Sequence, residues 1–265
     1  MRLLWLTDLH LNFCSRPIVN QLLADITAAA PDALVVTGDI AEARDVVSWL
    51  ERLDDHLQRP LFFVLGNHDY YFGSIAQVRQ TMADLCAARP RLQYLSQREV
   101  IPLTPAVGLV GHDGWADARL GDYARSRVML NDYRLIQELA RFAHPARRAA
   151  LEALGDEAAA HVRRVLPLAC ATYREVVLAT HVPPFHGACW HEGRLSDDEW
   201  VPHFACLAMG EAIIEVAAAY PDCRVTVLCG HTHGAGEYQP LPNTLVVTGG
   251  AEYRRPAIQR VFTWP

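Results

Sequence analysis

Seven side chains able to ligate a metal stand just past the ends of short apolar runs: Asp8, His10, Asp39, Asn67, His181, His231 and His233. Leu3-Leu4-Trp5-Leu6 leads into Thr7-Asp8-Leu9-His10, and Ala33-Leu34-Val35-Val36 leads into Thr37-Gly38-Asp39. Leu61-Phe62-Phe63-Val64-Leu65 precedes Gly66-Asn67-His68-Asp69, and Val176-Val177-Leu178-Ala179 precedes Thr180-His181. Val225-Thr226-Val227-Leu228-Cys229 precedes Gly230-His231-Thr232-His233. Short apolar runs of this kind read as buried strands. Ligands of open α/β sheets bind beyond the carboxyl ends of the strands, so parallel neighbours would gather all seven groups in one crevice. Carboxylate, amide oxygen and imidazole together suit Mn, Fe, Zn, Co or Ni. The set holds no thiolate, which argues against a structural zinc site. In extended backbone Asp8 and His10 share a face, as do His231 and His233, giving two half-sites. Asp39 stands alone, and each of its oxygens can take one metal as a bridge. Any one of these pieces occurs by chance. Together they would bury so many polar groups that two divalent ions are the economical partner.

The elements that must hold these residues follow an α/β rhythm. Ile18, Val19, Leu22, Leu23 and Ile26 recur at helical spacing after Pro17, as do Val46, Val47, Leu50, Leu53 and Leu57. Ile75, Val78, Met82 and Leu85 form a third helix behind a Ser74 cap. Alternating strands and helices imply right-handed crossovers and parallel strands. Short β-like pieces follow at 93–95, 98–103 and 107–111. Residues 113–127 read as loop, 129–142 as a helix, and 145–168 as another helix broken near Gly155. Strands return near 225–229, 244–248 and 257–263. The expected organisation is a single domain over 1–265, with 113–170 as a helical insertion and candidate lid.

The ordered motifs Asp8-Leu9-His10, Gly38-Asp39, Gly66-Asn67-His68-Asp69, Thr180-His181 and Gly230-His231-Thr232-His233 resemble those of the calcineurin-like metallophosphoesterases. The likeness runs from residue 8 to residue 233. It implies an α/β fold, a four-layered α/β/β/α sandwich with two central mixed sheets. It also implies that Asp8, His10 and His233 hold one metal and Asn67, His181 and His231 the other, with Asp39 bridging. His68 would then be the catalytic residue that contacts the phosphate and eases departure of the leaving group. Two cations about 3.5–4 Å apart would hold both sides of a phosphoryl group. A water bridging them would lose a proton near neutral pH and attack phosphorus in line with the leaving oxygen. Asn12, Tyr70, Tyr71, His112, Trp115, Arg119, His186 and His191 are candidates to line the substrate crevice, and Arg125 and Arg127 candidates to hold an anion.

Composition narrows the partners. The chain has 265 residues and a net charge of −6, with no basic block, so nucleic acid is not the expected partner. All 24 basic residues are arginines, scattered along the chain, which reads as a genome-wide bias. Seven cysteines without a C-x-x-C pair suit a reducing compartment. The apolar N-terminus is interrupted at Asp8 and His10, unlike a signal peptide, and no apolar run reaches the ~20 residues of a membrane span. The expectation is a cytoplasmic phosphomonoesterase or phosphodiesterase acting on a small phosphorylated molecule. A nucleotide-linked pyrophosphohydrolase, a nuclease of the same superfamily and a non-enzymatic scaffold are the alternatives.

Overall fold

A computed structural model describes residues 1–265, apart from the side chain of His144. The first half alternates strand and helix: β1 (Arg2–Leu6), α1 (Arg16–Ala28), β2 (Ala33–Thr37), α2 (Val46–Leu57), β3 (Leu61–Val64), α3 (Ile75–Ala88) and β4 (Leu92–Tyr94). The second half holds β5 (Ile101–Thr104), β6 (Val107–Gly111), the short helices α4 (Asp132–Leu135) and α5 (Gln137–Ala140), and the long α6 (His144–Thr172). Then come β7 (Glu175–Ala179), the two-residue strands β8 (Trp190–His191) and β9 (Arg194–Leu195), and α7 (Leu207–Ala219). The chain closes with β10 (Arg224–Cys229), β11 (Gly236–Leu241), β12 (Thr244–Thr248) and β13 (Arg260–Thr263).

Two large sheets form, in the orders β13-β1-β2-β3-β4 and β11-β12-β10-β7-β6-β5. The strands that lead to the seven polar residues are parallel within each sheet: β1 with β2, β2 with β3, and β7 with β10. Of the edge strands, β13, β5 and β11 are antiparallel to their neighbours and β4 is parallel to β3, so the βαβ rhythm accounts for the centres of the sheets and for one rim.

Period-two side-chain alternation builds the layers. Leu4, Leu6, Leu34, Val36, Leu61 and Phe63 face α1, α2 and α3, which offer Val19, Leu22, Ile26, Leu50, Leu53, Val78 and Met82 at helical spacing. Their neighbours Leu3, Trp5, Val35, Phe62 and Val64 turn the other way and meet Leu109, Val177, Ala179, Leu228 and Val247 of the second sheet. The far face of that sheet carries Val110, Val176, Leu178, Val225 and Val227 against α6 and α7. Helices, sheet, sheet and helices thus stack in four layers, and β2 and β3 are buried throughout because both of their faces are covered.

The middle of the chain departs from expectation. The helix read over 129–142 divides into α4 and α5, because Ile136 is extended between them (φ −98°, ψ 122°). Helix α6 runs unbroken through Gly155 and Pro167. Gly155 is a contact glycine and not a break: a Cβ there would meet the Asp117 Cβ at 2.5 Å. Ala158, Ala159, Val162, Val165 and Leu166 of α6 pack on the second sheet, so from His144 onward the presumed insertion is a layer of the sandwich. Strand β11 has no apolar alternation and went unread because it is a mostly exposed edge. Among the described residues no helix is long and apolar enough to cross a membrane.

Candidate metal centre

β1, β2, β3, β7 and β10 end on one rim, and backbone hydrogen bonds lace the loops together there. Asp8 N donates to Gly38 O (3.1 Å), His10 N to Asp39 O (2.9 Å) and Gly230 N to His181 O (2.9 Å). The two sheets are joined where His181 Nδ1 donates to Thr37 O (2.8 Å) and His231 N donates to Asp8 Oδ1 (3.0 Å).

Two donor sets result. In the first, His10 Nε2 lies 3.2 Å from His233 Nε2, His233 Nε2 lies 3.5 Å from Asp8 Oδ1, and His10 Nε2 lies 3.7 Å from Asp39 Oδ2. One ligand atom from each of Asp8, His10, Asp39 and His233 falls within 4.8 Å of all the others. In the second, Asn67 Oδ1 lies 2.9 Å from His231 Nδ1 and 3.1 Å from His181 Nε2, which is 3.4 Å from Asp39 Oδ1. Asp39 therefore turns one oxygen to each set. His231 and His233 belong to different sets, so the pair is not the single half-site that extended alternation suggested.

The local backbone explains the convergence. Asp8, His10, Asp39, His231 and His233 all have positive φ, between 43° and 71°. Left-handed conformations at non-glycine residues cost of order 1–3 kcal/mol each and persist where the surroundings impose them, often at functional sites. Tight left-handed turns, not an extended chain, thus aim Asp8 and His10 at one point. Gly66 and Gly230 make room for the result. A Cβ at Gly66 would collide with Asp39 Oδ1, and one at Gly230 would collide with Asp8 Oδ2 and Thr7 Oγ1.

The electrostatics suit cations. Burial drives the imidazoles toward their neutral form, His10 to about 3, His68 to about 2 and His231 to about 4. Burial, with the charges of Asp8 and Asp69, pushes the Asp39 carboxyl well above its ordinary range. Deprotonated nitrogen lone pairs and crowded carboxylates are what divalent ions complete. Each imidazole of the second set is held by a bond at its other nitrogen: His181 through Thr37 O, and His231 through Nε2 donating to His203 O (2.9 Å). These residues fit a pair of divalent ions.

Tight turning also places His68. It opens a single 3-10 turn, His68–Tyr70, and its Nε2 comes within 3.9 Å of Asp39 Oδ2. Its ring lies 4.6 Å from that of His10 and 4.2 Å from that of Tyr71. A cleft of about 270 Å³ opens over the cluster, lined in part by Asn67, His68, Tyr71, Asp132, His191, Trp200, Phe204 and Tyr253.

Of the expected crevice residues, Tyr71 and His191 line this cleft, and the others lie outside its lining. Asn12 lies in a 3-10 turn, so the extended alternation with His10 does not apply. Tyr70 is fully buried, its hydroxyl donating to Asp113 Oδ2 (2.7 Å). His112 is buried beside His161, with ring centroids 5.0 Å apart. Trp115 packs in the core against Tyr70. His186 is exposed, with its Nε2 2.7 Å from Ser196 O. Arg119 is engaged by Asp117 and Asp156, while Arg125 and Arg127 are largely solvent-exposed.

Asp132 was not foreseen. It is buried on α4, and its Oδ1 accepts from Asn67 Nδ2 (2.8 Å) and Tyr71 OH (2.7 Å). That bond fixes which way the Asn67 amide faces and leaves Oδ1 for the donor set. No strand end or apolar period marks it in the sequence. Replacing Asp132 by Ala should weaken metal loading about 10- to 100-fold, as loss of outer-shell partners does. Calorimetric titration of metal-free protein with Mn checks this. Tyr253, by contrast, follows a strand end like the ligands: β12 stops at Thr248, and Gly249-Gly250 leads on to it.

Comparison with known proteins gives the family and the fold. The calcineurin-like phosphoesterase family matches residues 1–235. A phosphopantetheinyl hydrolase from Mycobacterium tuberculosis superposes with a TM-score of 0.66 at 16% identity, over 96% of this chain and 90% of that one. A dimetal phosphatase from Danio rerio does so with a TM-score of 0.57 at 12% identity, over 94% and 87%. An uncharacterized metallophosphoesterase of Campylobacter jejuni, Cj0846, is 29% identical over 77 residues, which is 28% of this chain and 21% of that protein's length. The chain belongs to the calcineurin-like phosphoesterase family, whose class is that of metal-dependent phosphoester hydrolases.

Proposed function

We propose that this protein hydrolyses a small phosphorylated molecule at a dinuclear metal centre. Asp8, His10 and His233 would hold one ion, Asn67, His181 and His231 the other, with Asp39 shared. The observation that carries this reading is the division of the Asp39 oxygens between two convergent donor sets. When bound, the cations supply Lewis acidity to the phosphoryl oxygens and lower the pKa of the attacking water. The chain's own residues do the rest. Asp132 orients Asn67, Thr37 O and His203 O hold His181 and His231, and His68 stands where it can meet charge growing on the phosphate or the leaving oxygen. Residues 113–143, which bring Leu130, Asn131 and Asp132 to the cleft, are the part of the expected insertion that would cover substrate. Seven free cysteines support a reducing, cytoplasmic setting. The cleft lining contains no basic side chain other than histidine, which favours a small substrate over a nucleic acid.

The test is turnover of chromogenic aryl phosphate esters with Mn. Chelation should abolish it and added Mn restore it; activity that survives chelation removes the reading. His68→Ala should lower kcat about 100- to 1,000-fold, as loss of a transition-state donor does elsewhere, with metal content unchanged by elemental analysis.

A further inference from the structure

Aromatic rings stand on both sides of the donor cluster, and no arginine lines the space between them. On one side Trp200 stacks on Phe204 (5.4 Å between centroids, 30° between planes), His191 lies 5.5 Å from Trp200, and Phe204 meets His231 edge-on at 5.4 Å. On the other, Tyr253 covers His10 at 4.5 Å and His233 at 5.2 Å, with Phe13 edge-on behind it. Trp200 and Tyr253 line the cleft, yet they are 36% and 46% exposed. Large flat faces left open beside a polar centre are surfaces for stacking.

Charge narrows the substrate further. Every basic residue other than histidine is an arginine, and none lines the cleft, whereas the Asp132 carboxylate does. A diphosphate would bring a second charged phosphate beyond the donor cluster, where no basic side chain meets it, and a monoester has a single arm for two aromatic walls. A diester brings a single charge, which lies at the donor cluster, and its two neutral arms can rest on the two walls.

We infer that the substrate is a phosphodiester carrying a flat aromatic group, seated on the wall of Trp200, Phe204 and His191. This rests on the hydrolase reading. Water adds to phosphorus, the bond to the leaving oxygen breaks, and the alcohol departs with one proton of the water, leaving a monoester.

The experiment uses esters with one common leaving group: phenyl 4-nitrophenyl phosphate, methyl 4-nitrophenyl phosphate and the 4-nitrophenyl monoester. The phenyl diester should exceed the methyl diester about tenfold in kcat/KM, the size expected of one stacked ring, and both should exceed the monoester. Trp200→Ala should bring the phenyl-to-methyl ratio toward one, mainly through KM, and Trp200→Phe should keep most of it. Equal rates for phenyl and methyl, a monoester preference, or a ratio untouched by Trp200→Ala overturns the inference. A binding arm separates it from the hydrolase reading: diphenyl phosphate should quench tryptophan fluorescence in the wild type and not in Trp200→Ala. Quenching without turnover of any ester would sink the hydrolase reading and spare the aromatic subsite. Absence of quenching overturns the subsite.

Discussion

Exchanging Asp39 for Asn should cut turnover about a thousandfold or more while leaving the fold in place. Asp39 is the residue that faces both donor sets, with Oδ2 toward His10 and Oδ1 toward His181. An amide keeps the size but offers one oxygen where two are used, so one ion is lost or both are weakly held. Positioned cations supply several kcal/mol of transition-state stabilisation, which sets the scale of the loss. The stability effect has the opposite sign. Burial and the neighbouring carboxylates raise the Asp39 pKa in the folded chain. Above its ordinary pKa the ionised group is therefore held less well by the folded state than by the unfolded one, and costs stability there. Asparagine removes that cost. In chelator, the variant should melt at or above the wild-type temperature. Metal content should fall from two ions per chain to one or fewer. Full activity in Asp39→Asn would contradict the bridge.

Asp113→Ala should be the most destabilising of the variants considered. The carboxylate is buried and gathers four hydrogen-bond donors: Leu65 N (2.7 Å), Tyr70 OH (2.7 Å), Ser96 Oγ (2.8 Å) and Tyr94 OH. Arg79 Nε lies 3.6 Å away. Removing one member of a buried charged network costs roughly 3–5 kcal/mol, or on the order of 10 °C in Tm for a chain of this size. Leu65 immediately precedes the turn bearing Asn67 and His68, so turnover should fall as well. The pH dependence has a definite sign. Burial alone would raise the Asp113 pKa, but Arg79, His112 and the tyrosine hydroxyls outweigh it and hold the value below the ordinary one. Its contribution is then complete above the ordinary carboxylate range and is lost as pH falls through the lowered folded value. Melting curves from pH 7 down to pH 3 should show the variant losing less stability on acidification than the wild type does. A variant that melts like the wild type at pH 7 would show that the network does not support the loop.

The ends of β1, β2, β3, β7 and β10 were legible because each is apolar on both faces and then turns abruptly polar. That contrast gave Asp8, His10, Asp39, Asn67, His181, His231 and His233, while the layer order followed only from the family their motifs resemble. What it could not give was conformation. The chain leaves its strands in left-handed turns, so alternation misplaced Asn12 and paired His231 with His233 in one half-site. Tyr70 and Trp115 had the composition of crevice residues, yet both are buried in the core, and the Tyr70 hydroxyl is satisfied there by Asp113. Asp132, Trp200 and Phe204 reach the cleft from loops and short helices without periodicity, brought there only by tertiary packing.

Crystals soaked in Mn and measured at its absorption edge would test the central claim most directly. The account requires two anomalous peaks about 3.5–4 Å apart, one among Asp8, His10 and His233, the other among Asn67, His181 and His231, with an Asp39 oxygen on each. A map with no peak in this cluster, or a single peak that Asp39 does not touch, would contradict it.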